Sequence, residues 1–232
     1  MGPELLICRL GTVEYREALA LQQSLRDRVQ SGEQADVLLL LDHPPVYTLG
    51  RRSGPGDLPM GEDWYRSQGI DIVQTDRGGS LTYHGPGQLV GYPIMRIADV
   101  PAFVHAIERA IVSALAREGI EARVREGHRF TGVWVGERKI ASIGLHVSRG
   151  VTTHGLAVNV DNDLQPFEWV VACGMAEVRM TSVSAETRRG EHFGEFQESL
   201  AHELCAALQR AGRDIAPDAL GASVLSPASR SG

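Results

Sequence analysis

Two residues stand apart for what they can do near neutral pH, Cys173 and Lys139. Cys173 lies in Ala172-Cys173-Gly174, a turn at the end of the largely apolar stretch 167–171. Read from position alone, it is either a packed loop thiol or a nucleophile. The second role needs a neighbour that favours thiolate, because an unperturbed thiol is mostly protonated at pH 7. Cys8, among Leu6, Ile7 and Leu10, and Cys205, beside Leu204, read instead as small core residues. Lys139 is the single lysine; every other residue in the Lys+Arg total of 23 is arginine. A lysine can lose its proton on burial, whereas an arginine effectively cannot. The competing reading is a surface charge at a turn in an arginine-biased chain. Strand alternation through Lys139-Ile140-Ala141-Ser142-Ile143-Gly144 predicts that Lys139 shares a face with Ala141 and Ile143, as a semi-buried amine.

A second concentration of chemistry lies at residues 77–93, where five glycines and two prolines surround Arg77, Thr82, Tyr83, His84 and Gln88. Glycine lets backbone approach a ligand closely, and function gathers on loops held by a rigid scaffold. A substrate is therefore expected along this segment. Arg77 either holds an anion or ties the loop down, and His84 either faces the ligand or serves the structure. His154, before Gly155 on a strand, reads as structural, and His43, before two prolines, as a turn residue. Gly85-Pro86-Gly87-Gln88-Leu89-Val90-Gly91 has one residue too many for the dinucleotide fingerprint and leads into a strand instead of a helix. The sequence contains no P-loop and no Gly-x-Ser-x-Gly elbow. The eight histidines lack metal-ligand spacing, so neither a metal nor another cofactor is expected.

The surrounding chain is a globular scaffold. Its 232 residues are 43% hydrophobic and 22% charged, enough to bury one core. A net charge of −6 disfavours nucleic acid as a partner. The longest aliphatic run, 37–41, is too short to span a membrane, and the N-terminus lacks a signal-peptide pattern. Three unclustered cysteines do not form a disulfide framework. A cytoplasmic protein with reduced thiols is expected.

Strands are predicted at 5–10, 37–41, 46–49, 70–74, within 77–94, at 121–125, and as a meander over 133–135, 139–147 and 151–160. Helices are predicted after Thr12 as N-cap and ending at Ser31-Gly32, around Trp64 and Tyr65, from Asp99 to before Gly119, and over 192–210. Strands and helices do not alternate strictly, so the class is α+β with a mixed β-sheet core flanked by helices. One domain is expected over 1–212. The Pro, Ser, Ala and Gly content after Gly212 predicts a flexible C-terminal tail over 213–232.

The residues from Arg77-Gly78-Gly79 through Thr82-Tyr83-His84-Gly85-Pro86-Gly87-Gln88 to Tyr92-Pro93 closely resemble the signature of the octanoyl-[acyl-carrier-protein]:protein octanoyltransferases of lipoate biosynthesis. Agreement is collinear at Asp42-His43-Pro44 to Tyr47-Thr48-Leu49-Gly50-Arg51, Gly132-Val133-Trp134-Val135, 139–144, His154-Gly155-Leu156-Ala157-Val158-Asn159, Ala172-Cys173-Gly174 and Thr181-Ser182-Val183. The resemblance spans 5–210 and departs mildly, with Asp42 where glutamate is common. It implies the fold of the biotin and lipoate protein ligase catalytic domains. It implies a catalytic Cys173/Lys139 dyad. It also implies acyl-binding residues Arg77, Gly78, Gly79, Ser80, Leu81, Thr82, Tyr83, His84, Ser142, Ile143, Gly144, Gly155, Leu156 and Ala157. The implied donor is octanoyl-acyl carrier protein. The implied acceptors are lipoyl domains of 2-oxoacid dehydrogenase E2 subunits and the glycine cleavage H protein. Two other classes stay open: an ATP-dependent lipoate or biotin ligase on the same fold, and a non-catalytic binder of acyl carrier or lipoyl domains.

Overall fold

The computed structural model describes residues 2–127, 130–170 and 178–221. Chain order is β1 (Glu4–Thr12), α1 (Tyr15–Ser31), β2 (Val37–Asp42), β3 (Val46–Leu49), α2 (Glu62–Ser67), β4 (Asp71–Gln74), β5 (Thr82–His84), β6 (Gln88–Ile94) and α3 (Val100–Arg117). There follow β7 (Arg123–Val124), β8 (Gly132–Val135), β9 (Arg138–Ser148), β10 (Val151–Asn159), α4 (Gln165–Glu168), α5 (Val183–Thr187), α6 (Phe193–Ala207) and β11 (Ala211–Ile215). Among the described residues, eight strands form one sheet in the order β11-β1-β2-β6-β10-β9-β8-β7. β1 is parallel to β2 and β11, and the remaining pairs are antiparallel. A smaller sheet has the order β4-β3-β5.

β2 shows why its aliphatic run is continuous. Leu38 and Leu40 join a core with α3 and α6, while Val37, Leu39 and Leu41 join a second core with α1. A central strand buried on both faces has no polar side to present. α1 ends at Gly32, whose φ of 82° places it in the left-handed region. α3 begins as its sequence predicts, with the Asp99 side chain accepting from the Ala102 N–H at 2.9 Å. α1 begins differently. Thr12 stays in β1, paired with Asp42, and Glu14 is the N-cap residue without a side-chain cap bond.

Two other expectations change. The predicted strand at 121–125 shrinks to two residues. The chain also does not leave the fold at 213. β11 pairs in parallel with β1, Arg213 bonds Glu4 and Asp214 bonds Arg9. A turn at Pro217–Leu220 then buries Leu220 to 2% exposure. Composition misled here because a polar edge strand reads like a tail, while the bonds to β1 are made by backbone. Residues 222–232 of the expected tail lie outside the described residues. Among the described residues, no helix is long and apolar enough to cross a membrane.

Leu220→Ala is expected to lower unfolding free energy by about 2–3 kcal/mol, the cost of emptying a buried leucine site. Urea denaturation checks this, since a residue in a tail would change stability by less than ~0.5 kcal/mol.

Candidate active site

The site is built where the loop at 77–81 lies across β9. The Gly78 N–H donates to the Leu145 carbonyl at 2.9 Å. A Cβ on Gly144 would stand 2.9 Å from the Gly78 carbonyl oxygen, so this crossing needs glycine. Arg77 fixes the loop from beneath. Its Nε donates to Thr48 Oγ1 at 3.1 Å, and a second guanidinium nitrogen reaches both the Thr48 hydroxyl and its carbonyl. A further bond runs to the Gly78 carbonyl at 3.1 Å. These bonds give Arg77 the loop-tying role, and it also lines the cleft.

The loop, β5, β9 and β10 enclose a cleft of about 660 Å³, its open mouth included. Thirteen of the fourteen expected acyl-binding residues line it: Arg77, Gly78, Gly79, Ser80, Leu81, Thr82, His84, Ser142, Ile143, Gly144, Gly155, Leu156 and Ala157. Tyr83 does not. Strand alternation turns its ring to the other face of β5, where it packs against Tyr47 and Phe167. Tyr15, Arg52, Tyr92 and Thr131 also line the cleft and were not singled out from sequence. Tyr15 opens α1, far from any motif, so spacing held no signal for it.

Lys139 lines the cleft and is 3% exposed, so it is not a surface charge at a turn. The predicted facing is corrected by a β-bulge. Val133 pairs with Ala141 but Trp134 pairs with Lys139, leaving Ile140 as an extra residue. Ile140 and Ala141 both enter the apolar core, while Lys139, Ser142 and Gly144 line the cleft. The Lys139 N–H donates to the Arg179 carbonyl, and its own carbonyl accepts from the Thr181 N–H, each at 2.9 Å. Its Nζ lies 5.5 Å from the centre of the Trp134 ring, within cation–π range. Cys173 lies outside the described residues. Its described neighbours in sequence are Val170, 9% exposed, and the 178–181 segment that holds Lys139. Among the described residues, no cluster of His, Cys, Asp and Glu is placed to hold a metal ion. The thiols of Cys8 and Cys205 are pushed up by burial, that of Cys8 to about 11, which leaves both protonated.

Beneath the cleft lies a buried polar layer. His84 Nδ1 is 2.7 Å from Gln88 Oε1. The Gln88 amide nitrogen donates to the Tyr83 carbonyl and to Asn159 Oδ1, which fixes the Gln88 orientation and makes His84 Nδ1 the protonated nitrogen. Asn159 in turn donates to the Thr181 carbonyl at 3.0 Å. His43 bonds the Val13 carbonyl and the Tyr92 hydroxyl at 2.6 and 2.7 Å, so it is a fully buried anchor and not a turn residue. His154 adopts φ 57°, bonds Asp76 at 2.7 Å through Nε2 and faces the Tyr15 hydroxyl at 3.4 Å. Burial holds His43 down to about 4. Burial, reinforced by His43, holds His84 well below the ordinary imidazole value. For His154, burial outweighs the hydrogen bond that it donates to Asp76 and lowers it as well. The layer is therefore neutral at pH 7. Burial raises Tyr15 to about 12.

Residues 14–205 match the family described as the lipoyl protein ligase A/B catalytic domain. An octanoyltransferase of Solibacter usitatus is 49% identical over 182 residues, 76% of this chain and 81% of that protein. An octanoyltransferase of Myxococcus xanthus is 39% identical over 221 residues, 91% of this chain, which spans 61% of the length of that protein. Among solved structures, lipoate-protein ligase A bound with ATP is similar with a TM-score of 0.77 at 20% identity, covering 95% of this chain and 92% of that one. A biotin protein ligase from Aquifex aeolicus gives a TM-score of 0.51 at 13% identity, covering 89% of this chain and 69% of that one. These two likenesses establish the fold, an α+β mixed sheet flanked by helices, as the sequence predicts.

The neutral histidines make stability pH-dependent. An unfolded histidine takes up a proton below about 6.5, while buried His43 does so only near 4. Their stabilising contribution is complete above pH 6.5 and is lost as pH falls. For His43 alone the loss between pH 6.5 and 4.5 is on the order of 2 kcal/mol. Urea unfolding over this range is expected to show it, and His43→Gln is expected to flatten the slope whatever its own stability.

Proposed function

The chain belongs to the lipoyl protein ligase A/B catalytic-domain family and is an acyltransferase, and on that premise we propose that it moves an octanoyl group from octanoyl-acyl carrier protein to a lysine of lipoyl domains. The observation that carries the reading is the only lysine of the chain, buried in the wall of a cleft with thirteen residues of the acyl-binding pattern. The acceptors on this reading are lipoyl domains of 2-oxoacid dehydrogenase E2 subunits and of the glycine cleavage H protein.

Cys173 is the nucleophile of this proposal. Its thiolate attacks the thioester carbonyl, the carrier thiolate leaves, and the Lys139 ammonium returns a proton to it. Exchange of one thioester for another is near thermoneutral. The acceptor amine then attacks the acyl-cysteine and gives its proton to neutral Lys139, and the Cys173 thiolate departs. Amide formation from a thioester is downhill, so neither step calls for ATP. A covalent intermediate divides one transfer into two, each with a different protein partner. A cationic Lys139 favours the thiolate, and the two groups titrate as a pair. Backbone N–H groups of the glycine-rich loop are candidates for stabilising the oxyanion. Leu81, Ile143, Leu156 and Ala157 give the acyl chain an apolar wall and keep water from the acyl-enzyme.

Incubation with octanoyl-acyl carrier protein is expected to leave one octanoyl adduct, which peptide mapping places on Cys173. Cys173→Ser is expected to abolish turnover, and Lys139→Arg to lower it by at least ~100-fold while keeping the charge. An adduct on Cys8 or Cys205, or activity that requires ATP and free octanoate, overturns the proposal.

A further inference from the structure

Among the buried residues of α3, Glu108 alone is charged; its neighbours Ile107 and Ile111 belong to the apolar core. It is 2% exposed. A buried carboxylate is costly unless its oxygens are bonded, and an apolar side chain at such a position costs less. Both Glu108 oxygens have partners. Oε2 lies 2.9 Å from Nδ1 of His105, whose side chain is 64% exposed. Oε1 reaches across to β8 and accepts the Gly132 backbone N–H at 2.9 Å.

Gly132 is the informative partner. Its φ of 126° is open to glycine and strained for any residue with a Cβ. A Cβ there would stand 2.3 Å from the Ala141 carbonyl oxygen and 2.8 Å from Cε of Lys139. The bare Cα of Gly132 is thus a surface against which the lysine stem lies. Gly132 opens β8 opposite Ser142, and because glycine has the widest conformational freedom of any residue, a further hold on its peptide matters. The Glu108 carboxylate supplies the hold through a charge-assisted bond, roughly twice as strong as a neutral one.

We propose that Glu108 is a positioning residue for Lys139, fixing the Gly132 peptide against which the lysine stem rests. The inference rests on the reading of Lys139 as the reactive amine. It assigns Glu108 no contact with substrate. Its effect belongs to the geometry of the amine, and a displacement of about 1 Å can lower the rate on the order of a hundredfold.

Because Lys139 is the only lysine, protein grown on lysine labelled with carbon-13 at Cε gives one lysine side-chain resonance that needs no assignment. Glu108→Ala is expected to shift that resonance and to lower kcat between about tenfold and a hundredfold, with KM for octanoyl-acyl carrier protein changed by less than about twofold. Glu108→Gln still offers an oxygen to the Gly132 N–H and is expected to restore the resonance and most of kcat. Glu108→Asp keeps the charge but is one methylene short; it is expected to behave like Glu108→Ala and serves in its place should that variant not fold. A wild-type resonance in folded Glu108→Ala or Glu108→Asp, or a shifted resonance with wild-type kcat, overturns the proposal. Full turnover by Lys139→Ala would overturn the role of Lys139 in the transfer, while the resonance would still report whether Glu108 governs its environment.

Discussion

An extra residue in β9, Ile140, sets the phase of everything around the buried amine. Without it, regular alternation would put Lys139 on the same side as Ala141, facing the apolar core. With it, two consecutive apolar residues go inward and Lys139 shares the cleft with Ser142 and Gly144. Bulges re-aim side chains in this way and leave the strand locally unpaired. The bulge falls where β9 changes neighbours: β10 pairs as far as Ala141, and beyond it the segment at 179–181 takes both backbone groups of Lys139. Both backbone groups of Lys139 are therefore satisfied, as buried backbone must be.

The same segment links the amine to the glycine-rich loop. From His84 the bonds pass through Gln88 and Asn159 to the Thr181 carbonyl, and the Thr181 N–H bonds the Lys139 carbonyl. Each member is buried, so leaving one unpaired would cost about 1–3 kcal/mol. Satisfied networks of this kind specify one arrangement of the chain segments they join. The histidines take part as neutral rings, and the layer adds rigidity without adding charge beside the amine.

Much of this was legible in sequence. Periodicity and turn residues located the meander, α3 and α6, because each buries a regular face. The glycine-rich stretch marked a cleft wall, and Gly78 and Gly79 line the cleft; that Gly144 and Gly155 are points of close backbone approach is visible only in the structure. The lone lysine in an arginine-rich chain pointed to a buried amine. What failed was information carried by backbone or by distant pairing. The bulge at Ile140 adds no distinctive residue type, so alternation gave the wrong face for Lys139. β11 is held by β1 and looks polar by itself. Tyr83 was carried along with its motif, although position two of a three-residue strand must point away from Thr82 and His84. Glu108 was hidden by the apolar pattern that made α3 easy to find.

Fold alone does not select the chemistry, since the same architecture is found in a ligase bound with ATP. On the proposed reading, the choice rests on the buried amine. Arg77, the arginine of the glycine-rich loop, bonds Thr48 and the Gly78 carbonyl and serves the loop's shape. Lys139 lies between the bare Gly132 Cα and the Trp134 ring, in a setting that limits its motion. An amine so held suits proton exchange with one fixed partner better than neutralising a mobile polyphosphate. On the proposed reading, the glycine-rich segment is a wall of the acyl site, and the bond-making groups are Lys139 at the β9 bulge and Cys173.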